Sequence, residues 1–167
     1  KSSMEKDIKS ALNWADKNNL KPCFRLDGTT DLGVAQHFVS NNKTKQFYDY
    51  TKCPSRIRMA EKHDNWHITY SLSENTTTKR MRILLASNSN IAIPFHNVPE
   101  IGTRLLGREI VSGDETDLRF LDGMKKIVTL KVKGGKGKKT LNEDKKSTNG
   151  FILTDGAALE KRFAALA

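Results

Sequence analysis

Apolar positions near the start of the chain recur at helical spacing. Ile8, Ala11, Leu12 and Ala15 share one face, with Ser2 and Glu5 placed as a capping box. An amphipathic helix over about 3–18 is expected, ended by Asn18-Asn19. The period then shortens. Pro22-Cys-Phe-Arg-Leu-Asp27 reads as a short strand stopped by Gly28, and Asp31 leads into a helical stretch with Leu32, Ala35 and Val39 on one side. The rhythm returns in strand Gln46-Phe-Tyr-Asp-Tyr-Thr51 with a short helix after Pro54. It returns again in strand Trp66-His-Ile-Thr-Tyr-Ser-Leu-Ser73 with a helix through Met81, Leu84 and Leu85, and a fourth strand follows at Ile91-Ala-Ile-Pro-Phe95. Strand starts near 22, 46, 66 and 91 leave room for a crossover helix between parallel neighbours, so the pattern reads as consecutive right-handed βα units.

After Pro99 the pattern changes. Arg108-Glu-Ile-Val111 and Ile127-Val-Thr-Leu-Lys-Val132 look like strands with no clear helix between them, only the acidic stretch Gly113-Asp-Glu-Thr-Asp117. Residues 133–149 have the Lys/Gly-rich composition of a mobile loop. Phe151-Ile-Leu-Thr154 reads as a short returning strand, and a last helix from about Ala157 carries Leu159, Phe163 and Leu166 on one stripe. The expected fold is α/β: a partial β/α barrel or open parallel sheet with a C-terminal β extension and a terminal helix, all in one domain over 1–167. At 167 residues the chain is short of the ~250 typical of a complete eight-unit barrel.

Composition narrows the class. The apolar set is 37% of the chain, enough for a packed core, and no run approaches the ~18 apolar residues of a membrane helix. The first residues have no apolar stretch that could serve as a signal peptide, so a cytoplasmic protein without a membrane partner is expected. The chain opens on Lys1 rather than Met, from which a longer protein with residues upstream is expected. Cys23 and Cys53 lie thirty positions apart with no Cys-x-x-Cys pair, which disfavours a disulfide scaffold and a self-contained zinc module. Cys23, in an apolar run, reads as a core thiol.

Lys and Arg number 29 against 19 Asp and Glu, a formal net charge of +10. The excess is concentrated. Residues 122–150 hold nine lysines against Asp122, Glu143 and Asp144. Lysines on a glycine-rich loop can follow a phosphate backbone and release counterions, which makes Lys133, Lys136, Lys138 and Lys139 candidate nucleic-acid contacts. No aromatics interleave them, so a stacking platform is not indicated there. Gly134-Gly-Lys-Gly-Lys-Lys-Thr140 misses the GxxxxGK[ST] spacing of a triphosphatase loop, and Asp114, Glu115, Asp117 and Asp122 miss the register of an EF-hand.

Strand alternation supplies the remaining candidates. It separates Phe24 and Leu26 from Arg25 and Asp27, and places Asp49 with Thr51, and Thr69 with Ser71 and Ser73, on single faces. Parallel strands covered on both sides should read as apolar runs, so a polar inner face opening at the strand ends suggests a ligand-filled concavity. In β/α folds ligands bind at the carboxyl ends of the strands. The candidates there are Arg25, Asp27, Thr29, Asp31, Asp49, Thr51, Lys52, Ser71, Ser73, Glu74 and His96. Asp27, Asp49, Ser71 and His96 are the catalytic candidates, since paired carboxylates can share a proton or hold a divalent cation and His96 follows the fourth strand. Arg25 and Lys52 are candidate nucleic-acid contacts. Spacing alone identifies no metal and no cofactor.

Four motifs in order carry a resemblance: Arg25-Leu-Asp-Gly-Thr-Thr-Asp31, Phe47-Tyr-Asp-Tyr-Thr-Lys52, Tyr70-Ser-Leu-Ser-Glu74 and Gly113-Asp-Glu-Thr-Asp-Leu-Arg-Phe-Leu-Asp122. Over about residues 5–153 the chain resembles the C-terminal part of a protein group from phages and mobile elements related to the gene product 88 family. Members carry Asn where this chain has Asp27. They also carry a cysteine-rich N-terminal region similar to the cluster-binding segment of radical-SAM-like barrels, which is absent from this sequence. The resemblance implies a β/α barrel-like fold and a phage or plasmid origin, and no particular reaction.

The leading expectation is a phage or mobile-element protein that binds or acts on a nucleotide or nucleic acid at the strand ends, with the lysine loop adding phosphate contacts. Two alternatives stand beside it. One is a non-enzymatic nucleic-acid-binding or host-interaction module. The other is a small-molecule enzyme using S-adenosylmethionine, suggested only by the barrel-like resemblance.

Overall fold

A computed structural model describes residues 3–133 and 150–166. Helix α1 (Ser3–Lys17) turns Ile8 and Ala15 into the core and leaves Trp14 exposed. The Ser2 cap lies outside the described residues, as do Lys136, Lys138, Lys139 and most of the Lys/Gly-rich stretch. Strands β1 (Cys23–Phe24), β2 (Gln46–Thr51), β3 (Trp66–Ser71) and β4 (Asn90–Phe95) pair in parallel in sequence order. Helices α2 (Pro54–Ala60) and α3 (Thr78–Ala86) form the crossovers. Local chemistry sets their starts: Pro54 occupies the first turn of α2, and the Thr77 side chain accepts from Arg80 N–H at the head of α3.

Beyond β4 the order departs from the chain. The seven-stranded sheet runs β1-β2-β3-β4-β7-β6-β5, with β5 at Arg104–Leu105, β6 at Arg108–Ser112 and β7 at Ile127–Lys131. All neighbours are parallel except β5 and β6, a hairpin turned by Leu106 and Gly107 at φ 50 and 77. Two successive positive φ values match the right-handed twist of the flanking strands. This sheet is open, with β1 and β5 at its two edges. From β6 to β7 the strand order reverses direction. A right-handed parallel crossover must then lie on the opposite face, and it does: Phe120 of this connection packs on Tyr48, with ring centroids 5.6 Å apart. Gly113 begins the connection where an added Cβ would sit 2.7 Å from Val128 and Leu130 side-chain carbons, so only glycine passes so close to β7.

The main core lies on the face toward α2 and α3, where Phe24, Phe47, Trp66, Ile68, Tyr70, Ile91, Ile93 and Phe95 meet Ile57, Met81 and Leu84. Helix α4 (Gly156–Arg162), capped by the Asp155 carboxylate on Ala158 N–H, adds Leu159 and the following Phe163. Arg108 closes the other end of α3, donating to the Leu84, Leu85, Ser87 and Ser89 carbonyls. These are acceptors of a helix C-terminus and the turn after it, gathered by one buried guanidinium; the Leu84 carbonyl also accepts from the Ser87 N–H and hydroxyl.

Three expectations are corrected. The helical stretch after Asp31 is only a 3-10 turn at Val34–His37, because Gly33 enters at φ 78 and Asp27 ties down the loop. The returning strand at 151–154 shrinks to one bridge between Leu153 and Phe95. The single polar inner face does not exist. Register puts Asp49 beside Ile68 and Thr51 beside Tyr70, whereas Thr69 lies beside Tyr50 on the other side. An open sheet has two covered faces, and the polar residues divide between them.

Candidate functional site

The C-terminal ends of β1, β2 and β3 open on a cleft of about 370 Å³. Arg25, Asp27, Thr29, Asp31, Thr51, Lys52 and Ser71 line it, joined by Gly28, Thr30 and Tyr50. Asp49 is fully buried on β2. Ser73 and Glu74 lie around the corner, their carbonyls accepting from Arg162 of α4. His96 stands exposed past β4, its backbone N–H bonded to the Leu153 carbonyl. Lys133 is exposed past β7, 3.6 Å from Asp114.

Arg56, on α2, organises the cleft floor. Its Nη2 donates to Asp27 Oδ2 at 2.8 Å and lies 3.7 Å from Asp49 Oδ2, while Nη1 donates to Asp31 Oδ1. The carboxylates are satisfied from the other side as well. Asp27 accepts from the Gly33 and Val34 N–H groups, both at 2.9 Å, and from Thr30 Oγ1. Asp49 accepts from Asp27 N–H at 3.1 Å and from Trp66 Nε1 at 3.3 Å. Asp31 accepts from Lys52 N–H and the Thr51 hydroxyl, both at 2.8 Å, which staples the loop after β1 to the loop after β2.

Titration follows these contacts. Burial raises Asp49 above the usual carboxylate range, against the bonds from Asp27 N–H and Trp66 and the Arg56 charge that pull it down. Burial also opposes ionisation of Asp31, yet the Lys52, Thr51 and Arg56 donors outweigh it and hold that carboxyl low. Tyr50 is pushed up to about 12, chiefly by burial and further by Asp117, so its hydroxyl keeps its proton.

Three cleft groups face outward. Lys52 makes no ion pair among the described residues; its ammonium lies 5.3 Å from the Phe151 ring centroid. Arg25 lies over the Tyr50 ring, Cζ 4.8 Å from the centroid, and its Nη1 donates to Asp117 at 2.5 Å. Ser71, half-buried at the end of β3, lines the third side. Among the described residues no group of three or more His, Cys, Asp or Glu side chains is arranged to hold a metal ion.

Sequence reasoning missed Arg56, Tyr50 and Asp117. Arg56 had a signal, since it shares the buried side of α2 with Ile57 and Ala60 and so stands as a cation among apolar helix positions. Tyr50 alternates away from Asp49, and nothing local marks Asp117 as a neighbour of a residue 92 positions earlier.

A second cavity, about 280 Å³, lies at the opposite end of the sheet against Trp66, His67, Phe120 and Met124. Burial and the nearby Arg119 charge push His67 down to about 4.

No curated protein matches the chain, and no solved structure does. A family model described as gene product 88 matches residues 1–153, which include every cleft residue named above and the whole β6–β7 connection that reaches over it. No helix among the described residues is long and apolar enough to cross a membrane, in keeping with the α/β architecture. With nearly all of its length spanned by that match, the chain belongs to the gene product 88 family, a family of phage gene products.

Proposed function

We propose that the cleft at the ends of β1–β3 binds a phosphate-bearing ligand, a nucleotide or the backbone of a nucleic acid, and that the protein works as a binding module. One observation carries the reading: Lys52, Arg25, Thr29, Tyr50 and Ser71 line the cleft, Lys52 and Thr29 exposed, while Asp27 and Asp49 beneath are consumed by Arg56 and by backbone and ring N–H groups. A cation with no carboxylate partner among the described residues, beside neutral hydroxyl groups at parallel strand ends, suits phosphate oxygens. The net charge of +10 favours the same partner, and the lysine-rich sequence holding Lys133, Lys136, Lys138 and Lys139 is of the composition that adds phosphate contacts.

The engagement of Asp27 and Asp49 favours binding over acid–base chemistry. Asp27 already accepts four hydrogen bonds, and Asp49 accepts two in a wholly buried position beside Arg56, which leaves little capacity for a substrate proton. These two residues therefore act as positioning groups for the loop that carries Arg25 and Thr29.

Fluorescence anisotropy with labelled single-stranded DNA, duplex DNA and RNA across a salt series tests the reading, with calorimetry on mononucleotides as the small-ligand arm. Binding with a steep salt slope is expected, and Lys52→Met should flatten the slope by about 1. No binding of any probe at low salt overturns it, and so does a slope unchanged in both Lys52→Met and Arg25→Met.

A further inference from the structure

Resting on that binding reading, we infer that the Asp117 carboxylate occupies the seat of the ligand's oxyanion, between the Arg25 guanidinium and the Tyr50 hydroxyl, and that the ligand must displace it. Asp117 belongs to the β6–β7 connection, which crosses from the far side of the sheet to reach the cleft lip. One of its oxygens accepts from Arg25 Nη1 at 2.5 Å and the other from Tyr50 Oη at 3.3 Å. One donor directly follows β1 and the other lies on β2, and the guanidinium sits over the phenol ring. Both Arg25 and Tyr50 line the cleft, and Asp117 is not among its lining residues.

The seat is built for an anion with more oxygens than Asp117 offers. Asp117 engages only Nη1 of a guanidinium that can donate through a two-pronged fork, and the other prong, Nη2, is held only by a long 3.5 Å contact to the Gly28 carbonyl. Arg25 Nε is buried with no hydrogen-bond partner among the described residues. Tyr50, protonated throughout the neutral range, supplies a donor that costs no charge.

The carboxylate is also free to leave. Its side chain is 55% exposed, so its pairing with Arg25 is of the weak, solvent-screened kind. The turn that carries it is held independently, by Arg119 N–H on the Asp117 carbonyl, the Arg119 side chain on the Thr116 carbonyl, and Phe120 against Tyr48. Rotation of one side chain empties the seat while the connection stays on the sheet. Asp117 thus acts as an internal competitor that sets a threshold for anion binding.

The test compares wild type, Asp117→Ala, Arg25→Met and the double variant for a labelled single-stranded oligonucleotide and for inorganic pyrophosphate. Glu115→Gln serves as the charge control, since it removes one exposed negative charge from the same stretch without touching Arg25. Asp117→Ala should bind both probes several-fold more tightly, Glu115→Gln should match wild type, and the gain should vanish in the Asp117→Ala/Arg25→Met double variant. Wild-type binding with an unchanged or weaker Asp117→Ala overturns the seat and leaves the cleft reading standing. An equal gain in Glu115→Gln overturns it too, as a long-range charge effect. Absence of binding in every protein, wild type included, removes both.

Discussion

Replacing Arg56 with methionine keeps a side chain of similar length in the core and removes the only guanidinium within reach of Asp27 and Asp49 among the described residues. Both carboxylate side chains are wholly buried, so water cannot take its place. Breaking a buried pair from one side costs about 3–5 kcal/mol. The lower end, ~3 kcal/mol, is expected, because Asp27 keeps two N–H donors and a hydroxyl and Asp49 keeps two N–H donors. Against a typical stability of ~5–15 kcal/mol, that loss is plain in a urea unfolding curve followed by far-ultraviolet circular dichroism, as a lower midpoint with unchanged slope.

The penalty carries a pH signature. Asp49 already titrates above its ordinary range, and loss of Arg56 raises it further. A carboxyl raised in the native state binds a proton there that the unfolded chain has released, so stability falls as pH rises through the window between the two values. The Arg56→Met penalty should therefore be smaller at pH 5 than at pH 7, and Asp49→Asn in that background should recover part of it at pH 7. A loss below about 1 kcal/mol, or one indifferent to pH and to Asp49→Asn, would refute the claim that these are desolvated charges held by Arg56.

Two further predictions concern the elements that frame the cleft. His67, lowered from 6.5 to about 4 by burial, stays neutral in the native state while the unfolded chain protonates, so stability should drop on the order of 3 kcal/mol as pH falls across that window. Urea midpoints from pH 7 to pH 4 should show this drop in wild type and not in His67→Gln; equal pH dependence in the two proteins would mean that the imidazole is solvated. Arg108→Met removes the guanidinium from four carbonyls at and after the end of α3, of which Leu84 keeps its Ser87 donors, and should cost about 3 kcal/mol, with early hydrogen exchange at Ser87 and Asn88; a near-neutral midpoint would show that water reaches the remaining carbonyls.

What the sequence by itself determined is local and periodic. Runs such as Gln46–Thr51, Trp66–Ser71 and Asn90–Phe95 are strands because β-branched, aromatic and apolar residues cluster between turn residues, and their spacing leaves room for parallel crossovers. The strand-end location of Arg25, Asp27, Asp31, Lys52 and Ser71 was legible for the same reason, since each follows or ends such a run. The tertiary structure decided everything that depends on which surface covers which. Alternation says that Asp49 and Tyr50 point apart, but not that one meets a guanidinium in the core and the other a carboxylate at the cleft lip. The place of β7 between β4 and β6 reverses the strand order and sends the 113–126 connection over the second face, which carries Asp117 to Arg25. Burial and ion pairing at such separations arise from packing of distant elements, and no local period encodes them.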